Sequence, residues 1–184
     1  MLELYMHPLA SYCWKALLAL YETGIPFTPH VIDLADPAQR AELVVLWPLA
    51  RFPVLRDHGR GQVIPESSII VEYLARHYPE AAHLVPDDLD VRARDRFFDL
   101  YVQEPLGRMV RDMLAPGDPA VVVAAREMLA TAYRLVETMP ERTDFTFADR
   151  LLARPSMFRV RREAEPYWHN FPGARLRAGG TSSR

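Results

Sequence analysis

Cysteine, lysine and asparagine are nearly absent from this chain of 184 residues, which contains only Cys13, Lys15 and Asn170 of these types. A single cysteine excludes a disulfide within the chain and fits a reducing compartment. Arginine outnumbers lysine 21 to 1, a bias that indicates a GC-rich genome and hence a bacterial cytoplasm. A charged-then-apolar leader is missing too, and no apolar run approaches the roughly 18 residues of a membrane span. We therefore expect a cytoplasmic protein that is neither secreted nor inserted in a membrane.

The sequence also lacks metal-ligand spacing and a stacking surface for nucleic acid. The six histidines and the scattered carboxylates follow no metal-binding pattern, so we expect no metal. Net charge is −2, although residues 150–184 carry eight Arg and two Glu. The basic run Arg159-Val160-Arg161-Arg162 is followed by Glu163 and has no interleaved aromatic residues. This pattern favours a solvated helix face over a nucleic-acid site.

The first 78 residues alternate between strand and helix patterns. Gly24 is a left-handed helix stop, and Asp36-Pro37 is an N-cap with proline in the first turn. Pro29 marks the second strand as an edge strand. The strands are expected at residues 2–6, 27–32, 54–56 and 62–64, and the helices from Ala10 or Ser11, from Pro37 and from Ile69. The order βαβαββα predicts an α/β thioredoxin-like domain over residues 1–78.

A polar, proline-bounded linker over residues 79–88 separates this domain from an all-helical pattern. Residues 89–114 are expected to form one long helix that Pro105 kinks, because proline removes a helical hydrogen bond. Asp118-Pro119 caps the next predicted helix, residues 121–139. The apolar face of the long helix is predicted to contain Phe97, Leu100, Tyr101 and Leu106.

Two motifs flank the expected hairpin, Arg51-Phe52-Pro53-Val54 before it and Pro65-Glu66-Ser67-Ser68 after it. Together they resemble the glutathione-binding half of a glutathione S-transferase, and the similarity covers residues 2–78 and extends to Asp149. The resemblance implies a cis bond before Pro53 and a backbone contact from Phe52 to the cysteinyl part of glutathione. It also implies that Glu66 and Ser67 bind the γ-glutamyl end of glutathione and that Arg51 binds the glycyl carboxylate. The helix that begins at Glu66-Ser67-Ser68 has free N–H groups at its N-terminus, and these favour binding of a carboxylate.

The helical half departs from this family after a capping box from Thr146 to Asp149. Arg150 follows where the resemblance implies an apolar residue, and residues 150–156 resemble the end of a later helix and the proline-initiated helix after it. A helix interior, a loop and another helix are therefore missing, and we expect an internal deletion near residues 149–150. Residues 89–170 form the predicted shortened domain, and the tail, residues 171–184, is expected to be disordered.

Transfer of glutathione requires its thiol to be held as a thiolate near neutral pH. Serine-type members of the family use a hydroxyl at the start of the first helix, and Ala10 occupies that position here. Its neighbour Ser11 is either a shifted catalytic donor or the N-cap of the helix, and the cap alone explains its presence. Cys13 is expected to be a buried small hydrophobe. His7 is expected to be a loop histidine with a backbone bond, although it could approach the site.

The sequence therefore predicts a glutathione S-transferase-like protein with glutathione as cosubstrate and a small hydrophobic electrophile as second partner. The resemblance also implies a homodimer, and no nucleic-acid or membrane partner is expected. Two alternatives stay open. One is a glutathione- or protein-binding member without catalysis, which Ala10 and the shortened second domain favour. The other is a deletion product that folds only in its first half.

Overall fold

A four-stranded mixed sheet lies at the centre of the first half of the chain. The structure, a computed structural model, describes residues 1–85, 87–138 and 154–170. β1 pairs parallel with β2 and antiparallel with β3, and β3 forms a hairpin with β4, so the spatial order is β2-β1-β3-β4. The strand with Pro29 lies at a sheet edge, as predicted. The strands are β1 Leu2–Met6, β2 Phe27–Val31, β3 Val54–Asp57 and β4 Gln62–Pro65.

Three helices connect or follow these strands at the predicted places. Gly24 ends the first with a φ of 68°, a left-handed conformation that glycine adopts without a Cβ penalty. The Asp36 side chain accepts hydrogen bonds from two backbone N–H groups, so the predicted cap of the second helix is confirmed. The βαβαββα order of a thioredoxin-like domain is therefore confirmed. The helices are α1 Ser11–Thr23, α2 Pro37–Leu46 and α3 Ser67–His77.

Alternate residues of the central strands face two apolar clusters. Leu4 of β1 is fully buried in the larger cluster, which includes residues of α1 and α3. Its neighbour Tyr5 belongs to the smaller cluster, together with Val54 of β3 and Leu43 of α2. The two clusters hold helices against both faces of the sheet, which fixes where the loops at the strand ends emerge.

A helix from near the other end of the chain packs into the same unit. α7, Pro155–Ala164, contacts α1, and the described residues 1–85 and 154–167 form one compact unit. Val160 of α7 is 1% exposed and belongs to the larger apolar cluster. The predicted proline-initiated helix is therefore present. The domain limits predicted from the sequence remain predictions, but the contacts of α7 lie with the first unit.

Polar contacts join α7 to α1. Arg154 Nη1 donates to Glu22 Oε2 at 2.7 Å, and the Ser156 hydroxyl hydrogen-bonds to the same carboxylate. The Tyr21 hydroxyl donates to Glu163 Oε2 at 2.5 Å. Burial is the main cause that raises the pKa of Tyr21, and the hydrogen bond to Glu163 raises it further. Tyr21 therefore stays a neutral donor to a carboxylate, the stronger class of hydrogen bond.

The segment predicted as a polar linker contains a 3₁₀ helix, Pro79–Leu84. Ala81 is fully buried and belongs to the larger apolar cluster, and Leu84 packs against that cluster. These two residues are three positions apart, the spacing that brings side chains to one face of a 3₁₀ helix. The linker is thus partly ordered against the first unit. The sequence did not predict this helix, because a short 3₁₀ period is easily overlooked in a polar stretch.

The described part of the second unit contains three α-helices, α4 Leu89–Phe98, α5 Glu104–Leu114 and α6 Pro119–Thr138. A π-helical turn, Asp99–Gln103, joins α4 to α5, and Pro105 is the second residue of α5. Proline has no N–H to donate and its ring crowds the carbonyl four residues earlier, so a wider turn accommodates it. The sequence predicted a kink at Pro105, and the structure has this π turn there.

The apolar face predicted around this turn is largely wrong. Leu100, Tyr101 and Leu106 are 48%, 46% and 38% exposed, whereas Asp99 and Val102 are buried. A π turn contains one more residue than an α turn, so it rotates the following side chains away from the α-helical period. A regular 3.6-residue period therefore assigns the wrong residues to the buried face.

Several predictions concern residues outside the described ranges. These include the capping box from Thr146 to Asp149, the charge at Arg150 and the tail, residues 171–184. The internal deletion and the disordered tail therefore remain predictions. In the ranges that are described, no helix combines the length and the apolar character needed to cross a membrane.

Candidate functional site

The strand register brings three loops together at one end of the sheet. Tyr5 of β1 pairs with Val54 of β3, and Val54 pairs with Pro65 of β4. The segment after β1, the segment before β3 and the segment after β4 therefore leave the sheet side by side. They carry His7, Phe52-Pro53 and Glu66-Ser67, so residues far apart in the sequence share one edge.

The loop before β3 has the backbone conformation that the sequence predicted. The peptide bond between Phe52 and Pro53 is cis, and Pro53 is buried. Cis bonds are a small minority of X-Pro bonds in folded proteins and occur typically in tight turns. Arg51 beside it is exposed and forms no ion pair with another described residue. Its guanidinium is therefore available for an external carboxylate.

The N-terminus of α3 lies at the same edge and has an unusual backbone. Glu66, the N-cap residue, has φ 71° and ψ 123°, and its carbonyl accepts from the Ile70 N–H at 2.9 Å. Such a conformation costs a non-glycine residue about 1–3 kcal/mol and is concentrated at binding sites. No side chain caps this helix. Its first N–H groups therefore remain available for an anion.

Two serines begin α3, and both are almost fully buried. Ser67 is 3% exposed and Ser68 is 5% exposed. Lys15 Nζ of α1 donates to Ser68 Oγ at 2.6 Å, whereas no hydrogen bond of the Ser67 hydroxyl to another described residue is found. Lys15 is a candidate site residue that sequence reasoning missed. Its signal was available, because it is the only lysine in the chain and lies on the first helix.

Positive charge is present beside both motifs of this edge. Lys15 lies close to the N-terminus of α3 through its contact with Ser68. Arg51 lies next to the cis bond. Among residues 1–85, 87–138 and 154–170 there is no group of three or more His, Cys, Asp or Glu placed to hold a metal ion.

The start of α1 corrects one interpretation of Ser11. Ala10 is the N-cap residue, has no side-chain cap, and its carbonyl accepts from the N–H groups of Cys13 and Trp14. Ser11 is the first helical residue and is exposed. The interpretation of Ser11 as the N-cap is therefore wrong, because the extended conformation of a cap belongs to Ala10. The hydroxyl of Ser11 has no capping role that explains its presence.

Cys13 and His7 lie on either side of this turn. Cys13 is fully buried, as predicted, and burial, slightly offset by a backbone hydrogen bond with His7, raises the pKa of its thiol to about 12. His7 is half-buried, and its Nδ1 accepts from the Leu9 N–H at 3.2 Å. The predicted backbone bond of His7 is therefore confirmed. The His7 ring is stacked on that of Phe52, with centroids 6.1 Å apart.

A buried carboxylate fixes the hairpin that carries these loops. Asp57, 1% exposed, accepts at Oδ2 from the Tyr73 and Tyr78 hydroxyls at 2.8 and 2.9 Å. Arg60 Nη1 also donates to Oδ2, at 3.2 Å, and the Gly59 N–H donates to Oδ1 at 2.9 Å. Burial opposes ionisation of Asp57, but these hydrogen bonds outweigh it and lower its pKa to about 2. The network ties the hairpin to α3 and to the residue that follows it.

Comparison with known proteins finds relatives of the first half of the chain. Residues 4–82 match the family model of the glutathione S-transferase N-terminal domain. Mouse glutathione S-transferase theta-3 is 34% identical over 94 residues, which are 50% of this chain and 38% of that protein. The matching segments thus span about two fifths of the length of this relative and of a second one from Hypomyces subiculosus.

Solved structures show the same fold over more of the chain. A glutathione transferase homologue from Sulfitobacter, solved with bound glutathione, has a TM-score of 0.73 and 19% identity, covering 89% of this chain and 98% of that one. A delta-class glutathione transferase from Nilaparvata lugens has a TM-score of 0.66 and 25% identity, covering 81% of this chain and 71% of that one. The thioredoxin-like domain with a helical second part is therefore a shared architecture.

Proposed function

Because this chain belongs to the glutathione S-transferase superfamily through residues 4–82, we propose that it binds glutathione at the sheet edge described above. The observation that carries this proposal is the pairing of Val54 with Pro65. It sets the cis bond before Pro53 beside the uncapped N-terminus of α3. The α3 N-terminus and Arg51 beside the cis bond would then bind the two ends of an extended tripeptide.

We assign the parts of glutathione to named residues. The γ-glutamyl end goes to Glu66 and Ser67, where the α3 N–H groups and the buried Ser67 hydroxyl complement a carboxylate and Glu66 an amino group. Lys15 adds positive charge to that end through its contact with Ser68. The backbone of Phe52, next to Pro53, takes the cysteinyl part. Arg51 takes the glycyl carboxylate, a geometry suited to bidentate hydrogen bonds.

We propose transfer of the glutathione thiolate to a small hydrophobic electrophile as the activity. A second candidate, favoured by one observation, is glutathione or protein binding without catalysis. Ala10 occupies the position where serine-type members of the family carry a hydroxyl, and Ser11 beside it is exposed. A missing donor leaves the thiol nearer its free pKa of about 8.5 and mostly protonated at neutral pH.

Three wider features of this proposal rest on composition and family likeness. We propose a homodimer formed through α3 and α4, which light scattering at micromolar concentration tests directly: a monomer mass would refute it. The arginine bias and the single cysteine support a bacterial cytoplasm. The domain limits, residues 1–78 and 89–170 with a shortened helical part, complete the proposal.

Substitution of Ser67 tests the binding proposal. A hydrogen bond to a charged group contributes about 1.5–3 kcal/mol, so Ser67→Ala should weaken glutathione binding by about ten- to 150-fold. Thr23→Ala is the matched control, because the Thr23 hydroxyl bonds only to carbonyls within α1. Calorimetry should find wild-type affinity for the Thr23 variant and a similar melting temperature for both. Equal affinity of the Ser67 variant and wild type would refute the assignment.

A further inference from the structure

His7 occupies a position that neither the strand pattern nor the resemblance assigns to glutathione chemistry. Tyr5 pairs with Val54 in the antiparallel β1–β3 ladder, so continuing the register by two residues sets His7 opposite Phe52. The two rings are nearly parallel, with an interplanar angle of 21°. Phe52 is the residue whose backbone takes the cysteinyl part of glutathione in the proposed site. His7 thus lies beside the place proposed for the sulfur.

The same residue also borders the position where a hydroxyl is missing. The Ala10 N–H donates to the His7 carbonyl at 3.0 Å, which closes a tight turn between the end of β1 and the start of α1. The side chain of Ala10 is only a methyl group. Ser11 is exposed, and its hydroxyl does not cap the helix. Of the side chains in this turn, His7 is the one that is half-buried and carries a nitrogen donor.

The hydrogen bond of His7 fixes which ring nitrogen carries the proton. Nδ1 accepts from the Leu9 N–H, so a neutral imidazole holds its proton on Nε2. In the described part of the chain no group hydrogen-bonds to Nε2. Burial lowers the pKa of His7, although the charge of Asp33 acts in the opposite direction. The ring is therefore a neutral donor at neutral pH.

We propose that the Nε2–H of His7 donates the hydrogen bond that stabilises the thiolate of bound glutathione, in place of the hydroxyl that Ala10 lacks. This role rests on the proposed glutathione site. The thiol proton leaves to bulk water, His7 keeps its own proton throughout, and the sulfur becomes the acceptor of the Nε2–H bond. Stacking on Phe52 and an edge contact with Tyr167, at 5.3 Å between centroids, hold the ring in place.

A phenylalanine at this position separates the donor role from the packing role. His7→Phe keeps an aromatic ring against Phe52 and removes both nitrogens. We expect the thiol of glutathione bound to this variant, titrated by the ultraviolet absorbance of the thiolate, to have a pKa about one unit higher than with wild type. The thiolate fraction near neutral pH then falls roughly tenfold. Affinity for S-methylglutathione, which has no thiol, should be unchanged.

Each other outcome overturns the role. If the pKa of the bound thiol is unchanged in His7→Phe but rises in Ser11→Ala, Ser11 is the donor. If S-methylglutathione and glutathione lose affinity equally, His7 serves packing alone. If wild type binds S-methylglutathione but titrates glutathione at its free pKa, no donor exists and only this inference fails. If wild type binds neither ligand, the glutathione site itself is wrong and the role of His7 falls with it.

A measurement on the wild-type protein keeps the test valid should the variant fail to fold. The Nε2 proton resonance of His7, followed by ¹⁵N-edited nuclear magnetic resonance, reports the hydrogen bond directly. Glutathione at a pH where its thiol is ionised should shift this proton downfield, and S-methylglutathione should not. Equal shifts with both ligands, or none with either, would overturn the proposal.

Discussion

Replacing Asp57 by asparagine should destabilise the first unit by an amount that depends on pH. The pKa of Asp57 falls from 3.8 to about 2 in the folded protein. At about 1.4 kcal/mol per pKa unit, ionised Asp57 contributes on the order of 2–3 kcal/mol to the free energy of unfolding. Because the folded-state pKa is the lower one, this contribution is complete above the unfolded value and is lost as pH falls toward about 2.

Urea unfolding of the full chain, followed by tryptophan fluorescence, to which Trp14 and Trp47 of the first unit contribute, measures this effect. At neutral pH, Asp57→Asn should be less stable than wild type by about 2–3 kcal/mol, and the difference should shrink as pH falls below about 4. Glu42→Gln is the control, because Glu42 pairs with His30 at the surface and both side chains are 40% exposed or more. Its effect should stay within about 0.5 kcal/mol. A loss in Asp57→Asn that is the same at every pH would refute the argument from ionisation.

Three further substitutions test other parts of the structure. Val160→Ala should cost about 2 kcal/mol in the stability of the first unit, whereas Phe158→Ala, 67% exposed, should cost almost nothing in the same urea assay. Lys15→Met should weaken glutathione binding by about tenfold in calorimetry, and unchanged affinity would remove Lys15 from the site. Ala10→Ser should add a second thiolate donor and raise the rate of conjugation with an aromatic electrophile. A rate equal to wild type would show that position 10 does not approach the sulfur.

Local signals in the sequence were sufficient for most of the first domain. Gly24 ends α1, Asp36 caps α2 and Pro53 follows a cis bond, because each of these residues limits the backbone at its own position. The residues of the candidate edge came instead from the resemblance of two short motifs around the hairpin to a known family, and their roles remain predictions. Ser11 was misassigned because cap preference distinguishes poorly between adjacent residues, and here the extended conformation falls on Ala10.

Contacts between distant segments could not be predicted from one sequence. Lys15 reaches Ser68 from another helix, and Asp57 collects hydroxyls from Tyr73 and Tyr78. The attachment of α7 to α1 likewise depends on pairs separated by more than a hundred residues. None of these contacts leaves a periodic pattern, because pairing between elements is decided by the fold rather than by neighbours in the chain. The π turn before Pro105 shifted the buried face for a related reason, since the local period itself changes there.

Calorimetric titration with glutathione and with cysteinylglycine tests the central claim most directly. The dipeptide lacks the γ-glutamyl group, which the proposed site holds at Ser67 and the N-terminus of α3. We predict that one glutathione binds per chain and that cysteinylglycine binds at least about tenfold more weakly, the loss of one charge-assisted hydrogen bond. Equal affinity for the two ligands, or no heat from glutathione, would contradict the account.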